Sequence, residues 1–141
     1  MTQKLSLLIV EDNPIVRDML VAFASRDPSL DVREAATLAD AIEAVRAMPP
    51  HVAIMGVVIP GVSSQDPGEG VRAVKAASPG TAIVGFSGEP NFEGPIRAAG
   101  AETFISKPVS LAKMLAAIRL AWSKKDTRDF TDELLAKVGP A

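Results

Sequence analysis

The sequence predicts an α/β domain, doubly wound around a five-stranded parallel sheet, on three observations. Strand-length apolar runs alternate with amphipathic helical stretches, the pattern that folds into parallel strands joined by right-handed crossovers. The runs are almost continuously apolar, as strands are when helices cover both faces of their sheet. At 141 residues the chain is long enough for one domain with a substantial core.

Leu5 to Val10, apolar except at Ser6, is the first expected strand. Asn13-Pro14 supplies an N-cap and a proline suited to the first helical position. Ile15, Val16, Met19, Leu20 and Phe23 then share one helical face, and Pro28 closes the stretch. Leu30 to Ala35 is a weaker strand anchored by Val32. Thr37 with Asp40 resembles a capping box ahead of the stripe Leu38, Ala41, Ile42, Val45 and Met48, which Pro49-Pro50 stops. Val52 to Ile59 is the expected central strand, running into a Pro60-Gly61 turn. Val71 to Ala77 is a short helix, Thr81 to Phe86 the fourth strand and Thr103 to Ser106 the fifth. Ser110 caps a last helix bearing Leu111, Met114, Leu115, Ile118 and Trp122.

Five strands in this arrangement fit the flavodoxin-like order 2-1-3-4-5. Two segments depart from the regular pattern. Residues 61–70 form a strand-to-helix link that is long and rich in turn formers. Pro90, Gly94 and Pro95 degrade the fourth helix, leaving room for about one turn. The domain is expected over residues 1–125, followed by a tail, 126–141, in which a short helix starts at Thr131 and turns Leu134, Leu135 and Val138 to one side.

Composition narrows the function. A net charge of -2 without a basic run gives no general attraction for nucleic acid or an anionic membrane. The absence of cysteine removes disulfides, thiolate catalysis and Cys-ligated metals. One histidine and no G-x-S-x-G elbow argue against an independent hydrolase. No apolar run is of bilayer length and the N-terminus lacks a signal-peptide layout, so a cytoplasmic protein is expected.

In a doubly wound sheet, ligands sit beyond the carboxyl ends of the strands, at the switch between strands one and three. Glu11-Asp12, Gly56, Ser87 and Lys107-Pro108 all fall at or near such ends. Each is weak alone: an acidic pair can simply favour a helix N-terminus, Ser87 can be an ordinary strand-end residue, and Phe104 can be plain core. Convergence of four separated segments on one pole is the stronger signal. His51, after two prolines, is expected to cap or lie at the surface, and Trp122 to pack.

This constellation resembles the response regulator receiver domain over roughly residues 5 to 122. The resemblance implies phosphoryl transfer from a histidine kinase to an Asp four residues before the proline, beside a bound Mg²⁺. Glu11 and Asp12 then match the acidic pair that holds the metal. Ser87 matches the hydroxyl residue that follows the phosphoryl group, Lys107 the lysine before proline, and Phe104 the aromatic rotameric switch. The acceptor position, however, is Gly56. Without a carboxylate there is no nucleophile for an acyl phosphate and one metal ligand is lost, so Mg²⁺ binding is expected to be weak or absent.

The expected function is therefore that of a phosphorylation-independent pseudo-receiver, acting as a single-domain response regulator by protein–protein docking, with Lys107 paired to Asp12. Its partner would be a histidine kinase or a downstream signalling protein, and the chain a monomer or weak homodimer. One alternative is a phosphorylatable receiver inactivated at position 56. Another is a module binding a small anion or nucleotide, although no G-x-G-x-x-G or Walker A pattern is present. A substitute acceptor would have to be Asp66, with Ser63 or Ser64 beside it in the long loop, where a solvated turn is the simpler expectation.

Overall fold

The five strands form one parallel sheet in the order β2-β1-β3-β4-β5 in a computed structural model that describes residues 4–63 and 65–138. The strands are β1 (Leu5–Val10), β2 (Leu30–Ala35), β3 (Val52–Gly56), β4 (Ala82–Ser87) and β5 (Thr103–Ser106). Between them run α1 (Pro14–Ala24), α2 (Leu38–Ala47), α3 (Glu69–Ala77) and α4 (Glu93–Ala98), and α5 (Leu111–Val138) follows the last strand.

Successive strand residues point to opposite faces, which divides the core in two. Leu7 and Ile9 of β1 join Leu20 and Ala24 of α1 and Met114, Ile118 and Ala121 of α5 on one face. Leu8 and Val10 join Ala41 and Val45 of α2, Val71 and Val74 of α3 and Ile96 of α4 on the other. Each Val, Leu, Ile or Met side chain among these, fully buried, contributes about 1.5–3 kcal/mol of transfer free energy.

The caps act as the residue types require. Asn13 Oδ1 accepts from the N–H groups of Ile15 and Val16, and Thr37 Oγ1 from that of Asp40. His51 caps from a distance: its Nδ1 accepts the Ser6 N–H at 2.8 Å, and its ring meets Trp122 edge-on at 4.9 Å.

Three expectations need correction. The central strand ends at Gly56, and Val57 to Ile59 leave the sheet, with Val58 71% exposed. The fourth helix is short, as the prolines require, yet it exceeds one turn: a 3-10 turn at Pro90–Phe92 leads into the six residues of α4. Gly100 ends α4 at φ +122, with the Ala101 N–H reaching back to the Ile96 carbonyl.

No separate helix starts at Thr131, because α5 runs unbroken from Leu111 to Val138 across the expected division at residue 125. Thr131 lies mid-helix, its hydroxyl donating to the Thr127 carbonyl. The physical reason is Glu102, just before β5, whose side chain is 1% exposed. Its carboxylate takes Arg128 Nη2 at 2.6 Å, the Ile83 N–H at 2.6 Å and the Lys75 ammonium, while its backbone carbonyl takes Lys124 Nζ at 3.4 Å. Lys124, in a Lys124-Lys125-Asp126 stretch polar enough to read as a linker, thus joins Arg128 in fastening the helix to the body, while Lys125 pairs within α5 with Asp129. Burial pushes the Lys75 ammonium below its ordinary range, with Glu102 opposing that shift.

Candidate functional site

The carboxyl ends of β1, β3, β4 and β5 meet at one pole, and the side chains that they carry line a cleft of about 370 Å³. Glu11, Asp12, Ser87 and Lys107 all line it. Gly56, at the end of β3, is buried, with Met55 paired to Val10 of β1 and Gly56 itself to Phe86 of β4. The Lys107–Pro108 peptide is cis.

Glu11 dominates this pole. It is 3% exposed, and its carboxylate is turned back over the start of α1, where Oε2 accepts the Asp12 N–H at 2.9 Å. A β-carbon built on Gly56 would stand 3.3 Å from that same Oε2 and 3.3 Å from the Val10 carbonyl oxygen. The Glu11 carboxylate therefore lies against the place where an acceptor side chain would begin.

The cation of the site pairs with this residue. Lys107 Nζ lies 3.4 Å from Glu11 Oε1 and 4.8 Å from the centre of the Phe86 ring. The expected Lys107–Asp12 pair is corrected: Asp12 is exposed and donates only its backbone N–H to Glu11. Consecutive strand-end residues point apart, and Glu11 takes the inward direction. Burial, then the neighbouring Asp12, raise the Glu11 carboxyl above its ordinary value, and Lys107 pulls the other way.

Ser87 is buried at the cleft wall, and its Oγ accepts the Glu89 N–H at 3.0 Å, which closes the turn into Pro90. Phe104 sits one element away, partly buried between β4 and α4. The loop residues stay in their own turn: Asp66 pairs with Arg72 and accepts the Gly68 N–H, and Ser63 Oγ accepts from Gln65. Ser64 lies outside the described residues.

The donor set does not fit a divalent metal well. Mg²⁺ needs several hard oxygens converging at octahedral geometry. Here one carboxylate of the acidic pair is committed to a backbone N–H and an ammonium, and among the described residues no three His, Cys, Asp or Glu side chains converge as a metal site. Sequence reasoning did not single out Val58, Gly88, Glu89 and Phe92, which also line the cleft, because they lie in irregular segments after β3 and β4. Gly85, outside the lining, is hidden within an apolar run.

The model of the family described as "Response regulator receiver domain" matches residues 7–119. A curated relative, the probable transcriptional regulatory protein TcrX of Mycobacterium tuberculosis, is 25% identical over 119 residues. The match takes in 83% of this chain but only 49% of TcrX, so the chain spans about half the length of that relative. Among solved structures, a LuxR-family two-component response regulator from Aurantimonas sp. SI85-9A1 is similar at TM-score 0.77 and 24% identity, over 86% of this chain and 87% of that one. NtrX from Brucella abortus is similar at TM-score 0.81 and 20% identity, over 99% of this chain and 31% of that one. A CheY-like receiver domain protein from Methanospirillum hungatei JF-1 has TM-score 0.77 and 19% identity, over 90% and 99%. At these identities the solved structures establish the shared fold.

Proposed function

We propose that this chain, which belongs to the response regulator receiver domain family of two-component signalling, is a pseudo-receiver that signals by protein–protein docking and accepts no phosphoryl group. One observation carries the reading: at the carboxyl end of β3 there is no carboxylate, and the Glu11 carboxylate lies 3.3 Å from where that side chain would start.

The chemistry follows from what each group already holds. Acyl phosphate formation needs a carboxylate oxygen in line with the donor, and position 56 offers none. Lys107, which would neutralise charge on a transferred group, is already paired with Glu11. Ser87 Oγ holds the Glu89 N–H. Glu11, Ser87 and Lys107 are thus engaged by their own neighbours, and weak or absent Mg²⁺ binding is part of the proposal. Its partner is a histidine kinase or a downstream signalling protein in the cytoplasm. Among the described residues no helix is long and apolar enough to cross a membrane.

The anion-binding alternative draws little support, since Lys107 is paired and Asp12 and Glu89 also line the cleft. The inactivated-receiver alternative differs only in what restoration would do: it expects Gly56→Asp to become a working acceptor.

Adding Mg²⁺ with beryllofluoride, a phosphoryl mimic that needs an acceptor carboxylate, tests the proposal by amide NMR. Unchanged resonances at Gly56, Ser87 and Lys107 are expected. Saturable shifts at those positions would overturn it.

A further inference from the structure

Gly85 sits in mid-strand, in Ile83-Val84-Gly85-Phe86, where a parallel strand covered on both faces normally carries a large side chain. It takes part in no turn, and its φ is not among the positive glycine values, which are those of Gly61 and Gly100. The backbone therefore does not need glycine at this position; the space does. A β-carbon on Gly85 would stand 2.5 Å from Ile96 Cγ2 and 3.1 Å from Phe104 Cδ2.

These neighbours come from two directions. Phe104 is the register partner of Gly85 across β4 and β5, so the two share one face of the sheet. Ile96 comes from α4 above and is fully buried. The edge of the Phe104 ring and the Ile96 methyl together fill the volume that a side chain at 85 would claim. An aromatic ring laid over a cross-strand glycine is a known means of pinning neighbouring strands. Swinging the ring outward would leave a void against bare backbone and strip the ring of its contacts there.

We infer that Gly85 is a positioning residue that holds Phe104 inward beneath Ile96, so that β5 and α4 keep one arrangement. Phe104 is then a fixed support and not a rotameric switch. Gly85 lies two residues before Ser87 on the same strand, so the brace stands directly beside the cleft yet uses none of its polar groups. The consequence for signalling, a docking surface of constant shape, rests on the phosphorylation-independent reading. The packing of Phe104 against Gly85 and Ile96 is independent of it.

The test places para-fluorophenylalanine at position 104 and follows its ¹⁹F resonance. One narrow line without relaxation dispersion is expected for the otherwise unaltered chain. Gly85→Ala should displace or split that line and shift amides over 93–98 and 103–106, leaving those of Glu11 and Asp12 in place. Adding Ile96→Ala to Gly85→Ala removes the methyl that blocks the new β-carbon and should bring the line back towards its original position. Dispersion in the unaltered chain, or an unmoved line in Gly85→Ala, would overturn the inference. Should Gly85→Ala fail to fold, Ile96→Ala alone decides: lifting the roof should introduce dispersion at Phe104, and an unchanged line would sink the idea. None of these readouts involves a phosphoryl group, so their failure leaves the phosphorylation-independent reading standing. A phosphoryl adduct on the chain would equally leave the immobility of Phe104 intact.

Discussion

Glu11 Oε2 lies 3.3 Å from the point at which a β-carbon on Gly56 would stand, with the Val10 carbonyl oxygen equally close. Glycine at the end of β3 and the inward Glu11 carboxylate are therefore one arrangement, and each constrains what the other position can hold. A single methyl at 56 is already tighter than ordinary packing, and a carboxylate adds like charge in a buried place.

Gly56→Asp is accordingly expected to destabilise the domain by about 1–3 kcal/mol at pH 8, and by less at pH 4, where the Glu11 carboxyl, raised above its ordinary 4.5, is protonated. Gly56→Ala, which adds the contact without the charge, should cost less and show little pH dependence. Urea denaturation of the two variants at both pH values checks this. Equal, pH-independent losses would mean that the crowding is purely steric.

Lys107 is the cation nearest to the buried Glu11 carboxylate, at 3.4 Å, and is itself 41% exposed on its side chain. Lys107→Met should cost about 1–2 kcal/mol at pH 8, because it leaves Glu11 buried without its cation, and should cost little at pH 4. Parallel denaturation curves for Asp12→Asn, in which an exposed group is changed, should stay within about 0.5 kcal/mol of the unaltered chain.

The pH dependence of Glu11 has a definite sign. Its folded value is raised above the ordinary 4.5, chiefly by burial. The stability that it contributes is then full below 4.5 and is lost as pH rises through the raised folded value. Asp27 runs the other way, because the Ser29 hydroxyl and N–H hold its carboxyl below the ordinary 3.8. Its contribution is present above 3.8 and is lost as pH falls through the lowered value. Glu11→Gln should therefore flatten the stability profile just above pH 4.5 and leave the more acidic limb unchanged.

Glu102 gathers an Arg, a Lys and a backbone N–H onto one buried carboxylate. Glu102→Gln should be destabilising by about 1–3 kcal/mol, since it takes the counter-charge from the partly buried Lys75 ammonium. Arg128 is half exposed, so Arg128→Gln should cost only about 0–1 kcal/mol globally. That variant should instead lose hydrogen-exchange protection over the last turns of α5, which stand exposed and are marginal as helix on their own. Unchanged protection would show that Glu102 does not fasten the extension.

Much of the fold was legible because local signals agreed with each other. β1, β2 and β5 stand where the apolar runs predict, and Asn13 and Thr37 cap the helices that they precede. The convergence of Glu11-Asp12, Gly56, Ser87 and Lys107 on one pole was legible because the carboxyl ends of parallel strands all lie on the same side of the sheet. What was not legible depends on direction and distance. Which member of Glu11-Asp12 faces Lys107 follows from the pleat at the end of β1, and both have the same charge. The continuity of α5 depends on Glu102, 26 residues before Arg128 in sequence. The meaning of Gly85 depends on Phe104 and Ile96, which belong to other elements.

The central claim, that this receiver does not accept a phosphoryl group, is tested most directly by intact-mass spectrometry after incubation with Mg²⁺ and acetyl phosphate, with Gly56→Asp in parallel. No phosphoryl adduct is expected on the chain with Gly56, whatever the variant does. An adduct on Gly56→Asp alone would identify Gly56 as the lock on an otherwise competent pole. A stoichiometric adduct on the chain itself, mapped to Asp66 or to any other carboxylate, would show that this receiver does take a phosphoryl group.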